Sequence, residues 1–283
     1  HGLPIEYAVL KESGEDRATM TPLQLREKCL AYAKRWINIQ REDFIRMGVV
    51  GDFEHPYVTF DPHLEAKQLE VFGAMADKGY IYKGKKAVYW CPHCETALAE
   101  AEIEYKDRKS PSIYVKFPAL DVGDLAPEGV PKDKLFAVIW TTTPWTIPAN
   151  EFISVNPKFT YVWVHNLDND EYYLMNKELA PAALADCKVE NYEFAGREML
   201  GAEWDLKSFQ HPLYEDRVVY VLEGNHVTLD AGTGCVHTAP GHGVDDFEVY
   251  KSYENAGKLK QEILCPVDEK GRMTEEAGLG LVG

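Results

Sequence analysis

Apolar residues recur at helical spacing early in the chain and at strand spacing over most of its remainder. Leu30, Ala33, Ile37 and Phe44 fall on one stripe, with Cys29 and Trp36 at its edge, which predicts a helix over 21–47. Thr21-Pro22-Leu23-Gln24 has the form of a capping box, with Thr21 as the cap, Pro22 in the first turn and Gln24 reaching back. Gly48 and Gly51 are placed to end that helix. A second helix is expected from Asp61-Pro62 to about Asp77, with Leu64, Leu69, Phe72 and Ala76 on its apolar side and Gly79 as the stop. The segment Tyr80–Trp90 suggests a hairpin about Gly84. Strands are expected at 112–117, 135–142, 160–165, 171–175, 187–193, 217–222 and 234–238, and a helix from about Val244 to Ala256.

So many short strands, punctuated by Gly, Pro, Asn and Asp, point to a closed or nearly closed barrel with peripheral helices, an α+β fold. The change of texture implies a helix-rich unit over 1–86, a connecting ribbon over 87–105, a strand-rich domain over 106–270 and a linker over 271–283. No internal repeat or low-complexity tract interrupts this layout.

Composition narrows the picture without changing it. The chain has 283 residues, 45% of them hydrophobic and 27% charged, as soluble globular domains do. It holds no apolar run long enough for a membrane span and no recognisable signal peptide. It does not begin with methionine, which suggests a piece of something longer. The six cysteines are too few for a disulfide scaffold and suit a reducing cytoplasm. The net charge is −16. An acidic chain is a poor general binder of phosphate backbones, so a nucleic-acid substrate would be held mainly elsewhere, or only by its end.

Three segments carry candidate chemistry. In Trp140-Thr-Thr-Thr-Pro-Trp-Thr-Ile-Pro-Ala-Asn150, hydroxyls leave a strand and enter a loop stiffened by Pro144 and Pro148. Such a loop can aim Thr141, Thr142, Thr143 and Thr146 at a polar ligand, or can be a β-branched strand end with a proline turn. In Gly232-Thr-Gly-Cys-Val-His-Thr-Ala-Pro-Gly-His-Gly-Val-Asp-Asp-Phe247, glycines permit close backbone approach. There Asp246 could pair with an ammonium group, while Asp245 needs no more than a favourable place in a first helical turn. His237 can be a site residue or a satisfied core histidine, and His242 a site or a turn residue. Cys91-Pro-His-Cys94 is half of a tetrahedral zinc site whose other ligands lie beyond Gly283, or a redox dithiol without the usual strand–helix setting. No Gly-x-Ser-x-Gly elbow, Walker loop or His-Glu-x-x-His occurs.

Together these segments resemble the class I isoleucyl-tRNA synthetase family. His1-Gly-Leu-Pro-Ile-Glu6 is similar to a run in the first half of its nucleotide-binding catalytic domain, and Trp90–Glu102 to the start of its inserted editing domain. Trp140–Asn150 and Gly232–Phe247 are similar to its two editing peptides. The valyl and leucyl relatives carry a Thr-Thr-Arg-Pro type run where this chain has Thr141-Thr142-Thr143-Pro144. The resemblance implies that 1–86 is part of a Rossmann-like catalytic domain, that 87–105 carries the zinc half-site, and that 106–270 is the editing domain. The family's His-x-Gly-His and Lys-Met-Ser-Lys-Ser runs are missing, so isoleucine activation and tRNA charging are not expected of this chain.

The implied activity is hydrolysis of mischarged Val-tRNA(Ile). By resemblance, Asp246 holds the substrate α-ammonium group, and Thr141, Thr142 and Thr143 line the pocket around the terminal ribose and ester. His237 narrows the pocket against isoleucine, and Asn150, Trp145, Thr146, His242 and Gly241 complete the binding surface. One methylene contributes only about 1–3 kcal/mol in a hydrophobic pocket, for which the isoleucine–valine problem of this family is the usual illustration, so a second, smaller pocket is needed. The ester is already activated, so positioned water, helped by the terminal ribose hydroxyl, would suffice without a covalent intermediate. No cofactor is expected for editing, and zinc, through Cys91 and Cys94, only in the full-length enzyme. The expected partners are the tRNA(Ile) 3′ end, a valyl or isoleucyl adenosine ester and the rest of the synthetase chain, with no membrane and a monomeric state. A zinc-supported, non-catalytic binder of the tRNA acceptor end and a metallohydrolase using His237, His242 and Asp246 are the competing readings.

Overall fold

Helix α2 (Pro22–Arg46) begins where the capping box puts it: the Thr21 amide donates to Gln24 Oε1 at 2.9 Å, and the Gln24 amide donates to Thr21 Oγ1 at 3.3 Å. A computed structural model describes residues 2–14 and 17–283 of the chain, which divides into two compact units, His1–Lys83 and Gly84–Gly283. In the first unit, α1 (Gly2–Ser13) precedes α2, and α3 (Pro62–Asp77) starts on the Asp61 carboxylate, which accepts from the His63 amide at 2.8 Å. The apolar stripe of α2 has the expected period but is not covered. Val9 and Leu25 are the buried residues of these helices, while Leu30, Phe44, Leu69 and Phe72 stay exposed.

The second unit opens with an antiparallel hairpin of β1 (Tyr89–Cys91) and β2 (Thr96–Leu98). This corrects the expected hairpin about Gly84. The turn is made by the cysteine pair, where the Cys94 amide donates to Cys91 Sγ at 3.4 Å and Glu95 takes a φ of 51°. The Trp90 indole donates to the Glu269 carbonyl at 2.8 Å and seats the hairpin on the late part of the chain.

The remaining strands are β3 (Ile113–Asp121), β4 (Leu135–Thr141), β5 (Phe152–Val155), β6 (Thr160–Asn166), β7 (Glu171–Asn176), β8 (Tyr192–Leu200), β9 (Ser208–Gln210), β10 (Val218–Glu223) and β11 (Val236–Thr238). They form one sheet in the order β11-β5-β10-β9-β3-β4-β7-β6-β8, and a further pairing of β11 with β4 closes the first six into a barrel. One edge of β4 serves two neighbours: Leu135, Phe136 and Ala137 pair with β7, and Trp140 pairs with Val236 of β11. The strand thus leaves the three-stranded extension and enters the closure within a few residues.

Period-two alternation explains why these strands need cover on both faces. Leu135, Ala137 and Ile139 of β4, Tyr161 and Trp163 of β6 and Leu174 of β7 point into the barrel core with Phe117, Trp204, Phe209 and Val221. Val138, Val162, Val164, Tyr173 and Met175 point the other way, under α4 (Ala180–Asp186). Helix α5 (Val244–Asn255) covers a third cluster, stacking Tyr250 on Phe152 with ring centroids 5.6 Å apart.

The expected strand over 187–193 is corrected to the end of α4 and a turn, in which Cys187 caps the helix and Lys188 takes a φ of 59°. The run Ala180–Asp186 favours helix strongly, and the strand starts only at Tyr192. Strands β5 and β9 were not anticipated. Residues 271–283, expected as a linker, include a 3-10 turn at Glu275–Ala277 whose Ala277 is buried and whose carbonyl accepts from the Tyr214 hydroxyl. Among the described residues no helix is long and apolar enough to cross a membrane.

Gly234, just before β11, has a φ of +77°, and a Cβ there would lie 2.4 Å from Asn176 Cβ. Gly234→Ala combines backbone strain with overpacking and is expected to cost about 2–4 kcal/mol of unfolding free energy, read from urea denaturation. An unchanged midpoint would mean that this approach does not constrain the closing strand.

Candidate functional site

The strand β4 runs out at Thr141, and the chain crosses the mouth of the barrel as a 3-10 strap, Pro144–Ala149, before re-entering as β5. Local hydrogen bonds set this path. The Thr143 amide donates to Thr141 Oγ1 at 3.0 Å, the Thr146 amide and hydroxyl donate to the Thr143 carbonyl at 3.2 and 2.9 Å, and the Asn150 amide donates to the Ile147 carbonyl at 2.9 Å. Thr141, Thr146 and Asn150 are buried, Thr143 is half-buried, and Thr142 faces outward with its carbonyl accepting from the Ser110 hydroxyl at 2.7 Å.

Barrel closure brings His237 of β11 against this strap. Asn150 Nδ2 donates to the Phe152 carbonyl at 2.9 Å, which fixes the orientation of its side-chain amide. The same Nδ2 lies 2.7 Å from His237 Nδ1, so that nitrogen must accept. His237 Nε2, 2.8 Å from Thr146 Oγ1, must then carry the ring proton and donate it, because the threonine hydroxyl is already directed at the Thr143 carbonyl. The chain Asn150→His237→Thr146→Thr143 leaves the imidazole neutral and rotationally locked. Burial pushes its pKa down to about 4, with His211 and His242 nearby adding to the effect. Asn150 Oδ1 is left sequestered without a hydrogen-bond partner.

Asp246 stands in the first turn of α5, its carboxylate folded back so that Oδ2 accepts from the Ala239 amide at 2.9 Å. Its other oxygen makes no hydrogen bond to a described residue. Burial raises its pKa, while the Ala239 amide and the charge of His226 hold it down and Asp245 raises it further. The fold-back explains Gly243, where a Cβ would lie 2.7 Å from Asp246 Oδ2. Gly241 has a different reason: its Cβ would lie 2.2 Å from the Leu264 carbonyl oxygen, so packing against the late chain already requires glycine there. Between these glycines, His242 meets Trp145 edge-on with centroids 5.2 Å apart. Its Nε2 is buried without a partner, and burial lowers its pKa. Trp145 itself is exposed.

The structure therefore brings Thr146, Asn150 and His237 into direct contact, joins Trp145 to His242, and folds the carboxylate of Asp246 from α5 back to Ala239, the residue that follows the strand carrying His237. Cys91 and Cys94 lie apart from this constellation, on the hairpin turn. The Cys94 amide hydrogen bond lowers the Cys91 pKa, and among the described residues no group of three or more His, Cys, Asp or Glu could hold a metal ion.

Several supporting residues were not read from the sequence. His211 is buried, donates from Nε2 to the Ile147 carbonyl at 3.0 Å and accepts at Nδ1 from the Leu213 amide at 3.0 Å. Arg217 donates to the Pro148 carbonyl at 2.6 Å and to the Glu276 carbonyl at 3.2 Å. The buried Glu151 accepts from Gln261 Nε2 at 2.6 Å and the Leu264 amide at 2.9 Å. Together these hold the strap from behind and tie it to the late segment packed on Gly241. Single His, Arg and Glu residues in unremarkable surroundings give no sequence signal, although Arg217 and His211 flank one turn next to predicted strands.

Comparison with known proteins places this geometry in context. The family description tRNA synthetases class I (I, L, M and V) matches residues 1–211. The isoleucine–tRNA ligase of Natranaerobius thermophilus is 47% identical over 279 residues, 98% of this chain and 29% of that protein. That of Bacillus cytotoxicus is 52% identical over 277 residues, 98% of this chain and 28% of that protein. The chain thus spans less than a third of the length of these relatives. Among solved structures, the P. knowlesi cytosolic leucyl-tRNA synthetase editing domain covers 60% of this chain and 77% of its own, with 13% identity and a TM-score of 0.45.

The buried histidines make the barrel's stability depend on pH. His211 and His237 both drop from 6.5 to about 4, mainly through burial. Above about pH 6.5 neither state binds these protons and stability is full. As pH falls from there toward 4, the unfolded chain takes up protons that the folded chain refuses, and stability is lost. Each group contributes on the order of 1–3 kcal/mol across that window. His211→Gln should show a shallower loss of urea stability between pH 7 and 4.5 than the unsubstituted protein, and equal slopes would contradict the assignment.

Proposed function

This chain belongs to the class I tRNA synthetases (I, L, M and V), and we propose that its barrel is an editing site that hydrolyses valine from mischarged Val-tRNA(Ile). The observation that carries the reading is the locked, neutral His237, two residues before Ala239, whose amide holds the Asp246 carboxylate by one oxygen and leaves the other free. A ring whose two nitrogens are both engaged with Asn150 and Thr146 is poorly suited to shuttle a proton or bind a metal, but it makes a stiff wall. Asp246, held by the Ala239 amide through Oδ2, keeps Oδ1 for the α-ammonium group of an aminoacyl ester. Valine then lies against the His237 wall, and the extra methylene of isoleucine is refused.

The reaction asks little of the protein because the ester is activated. Water attacks the carbonyl carbon, and the hydroxyls of Thr141 and Thr143 line the ribose and ester side of the pocket, while Thr142, which faces outward, is left out of it. Trp145 and His242 edge the mouth, where the 3′-terminal nucleoside of tRNA(Ile) would rest. With a net charge of −16, the chain grips little of the tRNA body, which falls to the rest of the synthetase. In the same reading the protein works as a monomer in the cytoplasm, and Cys91 and Cys94 supply two ligands of a structural zinc completed elsewhere in the full-length enzyme.

Asp246→Asn keeps an oxygen for Ala239 but loses the charge. It should lower deacylation of Val-tRNA(Ile) by about 10- to 100-fold, the worth of one charge-assisted hydrogen bond. Unchanged hydrolysis by a folded Asp246→Asn protein would refute the ammonium role. His237→Ala should admit Ile-tRNA(Ile) to hydrolysis, and continued rejection of isoleucine would remove His237 from the sieve.

A further inference from the structure

The strap ends where its own hydrogen bonds run out. One more 3-10 step would send the Glu151 amide to the Pro148 carbonyl, but that amide donates instead to the Thr238 carbonyl of β11 at 3.2 Å. A side chain takes over the Pro148 carbonyl: Arg217 Nη1 donates to it at 2.6 Å. The carbonyl before it, that of Ile147, accepts both the Asn150 amide at 2.9 Å and His211 Nε2 at 3.0 Å. Side chains from one turn, 211–217, thus hold two consecutive carbonyls just ahead of Asn150, the residue that meets His237.

This brace has a footing on the far side. The Arg217 guanidinium lies over the Tyr214 ring, its Cζ 3.9 Å from the centroid, and its Nη2 donates to the Glu276 carbonyl at 3.2 Å. The Tyr214 hydroxyl donates to the next carbonyl, that of Ala277. Gln210 Nε2 closes the turn itself, donating to the Tyr214 and Arg217 carbonyls at 2.7 and 3.1 Å. A rigid, planar fork anchored on one side holds an acceptor on the other at a set distance, which an ammonium on a flexible stem does not. From Arg217 to the histidine wall every step is a direct contact or a neighbouring residue: the Pro148 carbonyl, Asn150 two residues on, then Asn150 Nδ2 at 2.7 Å from His237 Nδ1.

We propose, resting on the editing reading above, that Arg217 is a positioning residue for side-chain discrimination. It meets no part of the substrate. It pins the Pro148 carbonyl, so that Asn150 holds His237 where valine fits and isoleucine is refused. Without the guanidinium the end of the strap relaxes, Asn150 shifts with it, and the imidazole yields to the larger side chain.

The test compares kcat/KM for Val-tRNA(Ile) and Ile-tRNA(Ile) in the full chain and in its Arg217→Ala and Arg217→Lys variants. His237→Ala is run in parallel, and the urea midpoint is measured for each protein. One methylene is worth about 10- to 200-fold in discrimination. In Arg217→Ala the ratio of the two kcat/KM values should therefore fall about 10-fold or more, chiefly because Ile-tRNA(Ile) hydrolysis rises. Arg217→Lys, which keeps the charge but not the fork, should lose less. A residue that served stability alone would lower the midpoint and depress both substrates in proportion, and an unchanged ratio in a folded Arg217→Ala protein overturns the proposal. A second readout needs no tRNA: in nitrogen-15 NMR the His237 ring should be a single neutral tautomer protonated on Nε2 in the unsubstituted chain, and shifted or averaged in Arg217→Ala. An identical His237 spectrum in the two proteins also overturns the proposal. If Arg217→Ala does not fold, Arg217→Lys carries both measurements, and an unchanged ratio or spectrum there has the same force. Absence of hydrolysis by the unsubstituted chain would sink the editing reading itself; a ratio that collapses in His237→Ala but stands in both Arg217 variants would sink only this inference.

Discussion

The site depends on one buried sandwich: His237 held between the side chains of Asn150 and Thr146. The strap residues stand 87 and 91 positions before the histidine in sequence, and all three meet because β11 pairs with both β4 and β5 to close the barrel. The sandwich works in both directions. It gives the strap's polar groups an internal partner in place of water, and it uses up the hydrogen-bonding capacity of the imidazole. A histidine so placed is stiff and neutral, and those are the properties of a wall. Removing Asn150 or Thr146 would free the ring to tilt, so in the proposed reading these residues would act on substrate size through His237.

Burial governs the rest of the electrostatics. It pushes the histidines toward neutrality and raises the carboxyl pKa of both Asp246 and Glu151. The fold then compensates selectively. Glu151 receives an amide on each oxygen and becomes a structural tie. Asp246 receives an amide on Oδ2, which favours its ionised form while leaving an acceptor for a cation. Two carboxylates in similarly dry surroundings thus take different tasks according to how many of their oxygens the protein itself satisfies.

Much of this was legible in the amino-acid order, and the rest was hidden for identifiable reasons. The capping box at Thr21, the long helices and most barrel strands follow from local periodicity, which depends only on near neighbours. Gly84 suggests a hairpin by residue type alone, whereas the observed turn is a Cys-x-x-Cys turn closed by an amide–sulfur bond. The stretch 187–193 has a strand-like pattern, yet α4 ends there on a left-handed Lys188, which no side-chain pattern announces. At the site, Thr146, Asn150, His237 and Asp246 stand in two motifs that single themselves out by their density of Gly, Thr, Pro and His. The buttresses His211 and Arg217 and the tie Glu151 are single residues whose meaning depends entirely on what folding sets beside them.

Stiffness is what connects these observations to chemistry. A gauge that must tell side chains apart by one methylene works with about 1–3 kcal/mol. A wall that could shift by a few tenths of an ångström at small cost would give most of that back. The strap is accordingly braced from behind by His211 and Arg217 and from below by Glu151, and the facing loop carries glycines only where Asp246 and the Leu264 carbonyl leave no room for a Cβ. Against so much satisfied and close-packed structure, the unpartnered atoms of Asn150, His226 and His242 stand out. Each orphan of that kind costs about 1–3 kcal/mol of folding stability. In the proposed reading, the rigidity that refuses the larger side chain comes from the same close packing that leaves Asn150 Oδ1 and His242 Nε2 without partners.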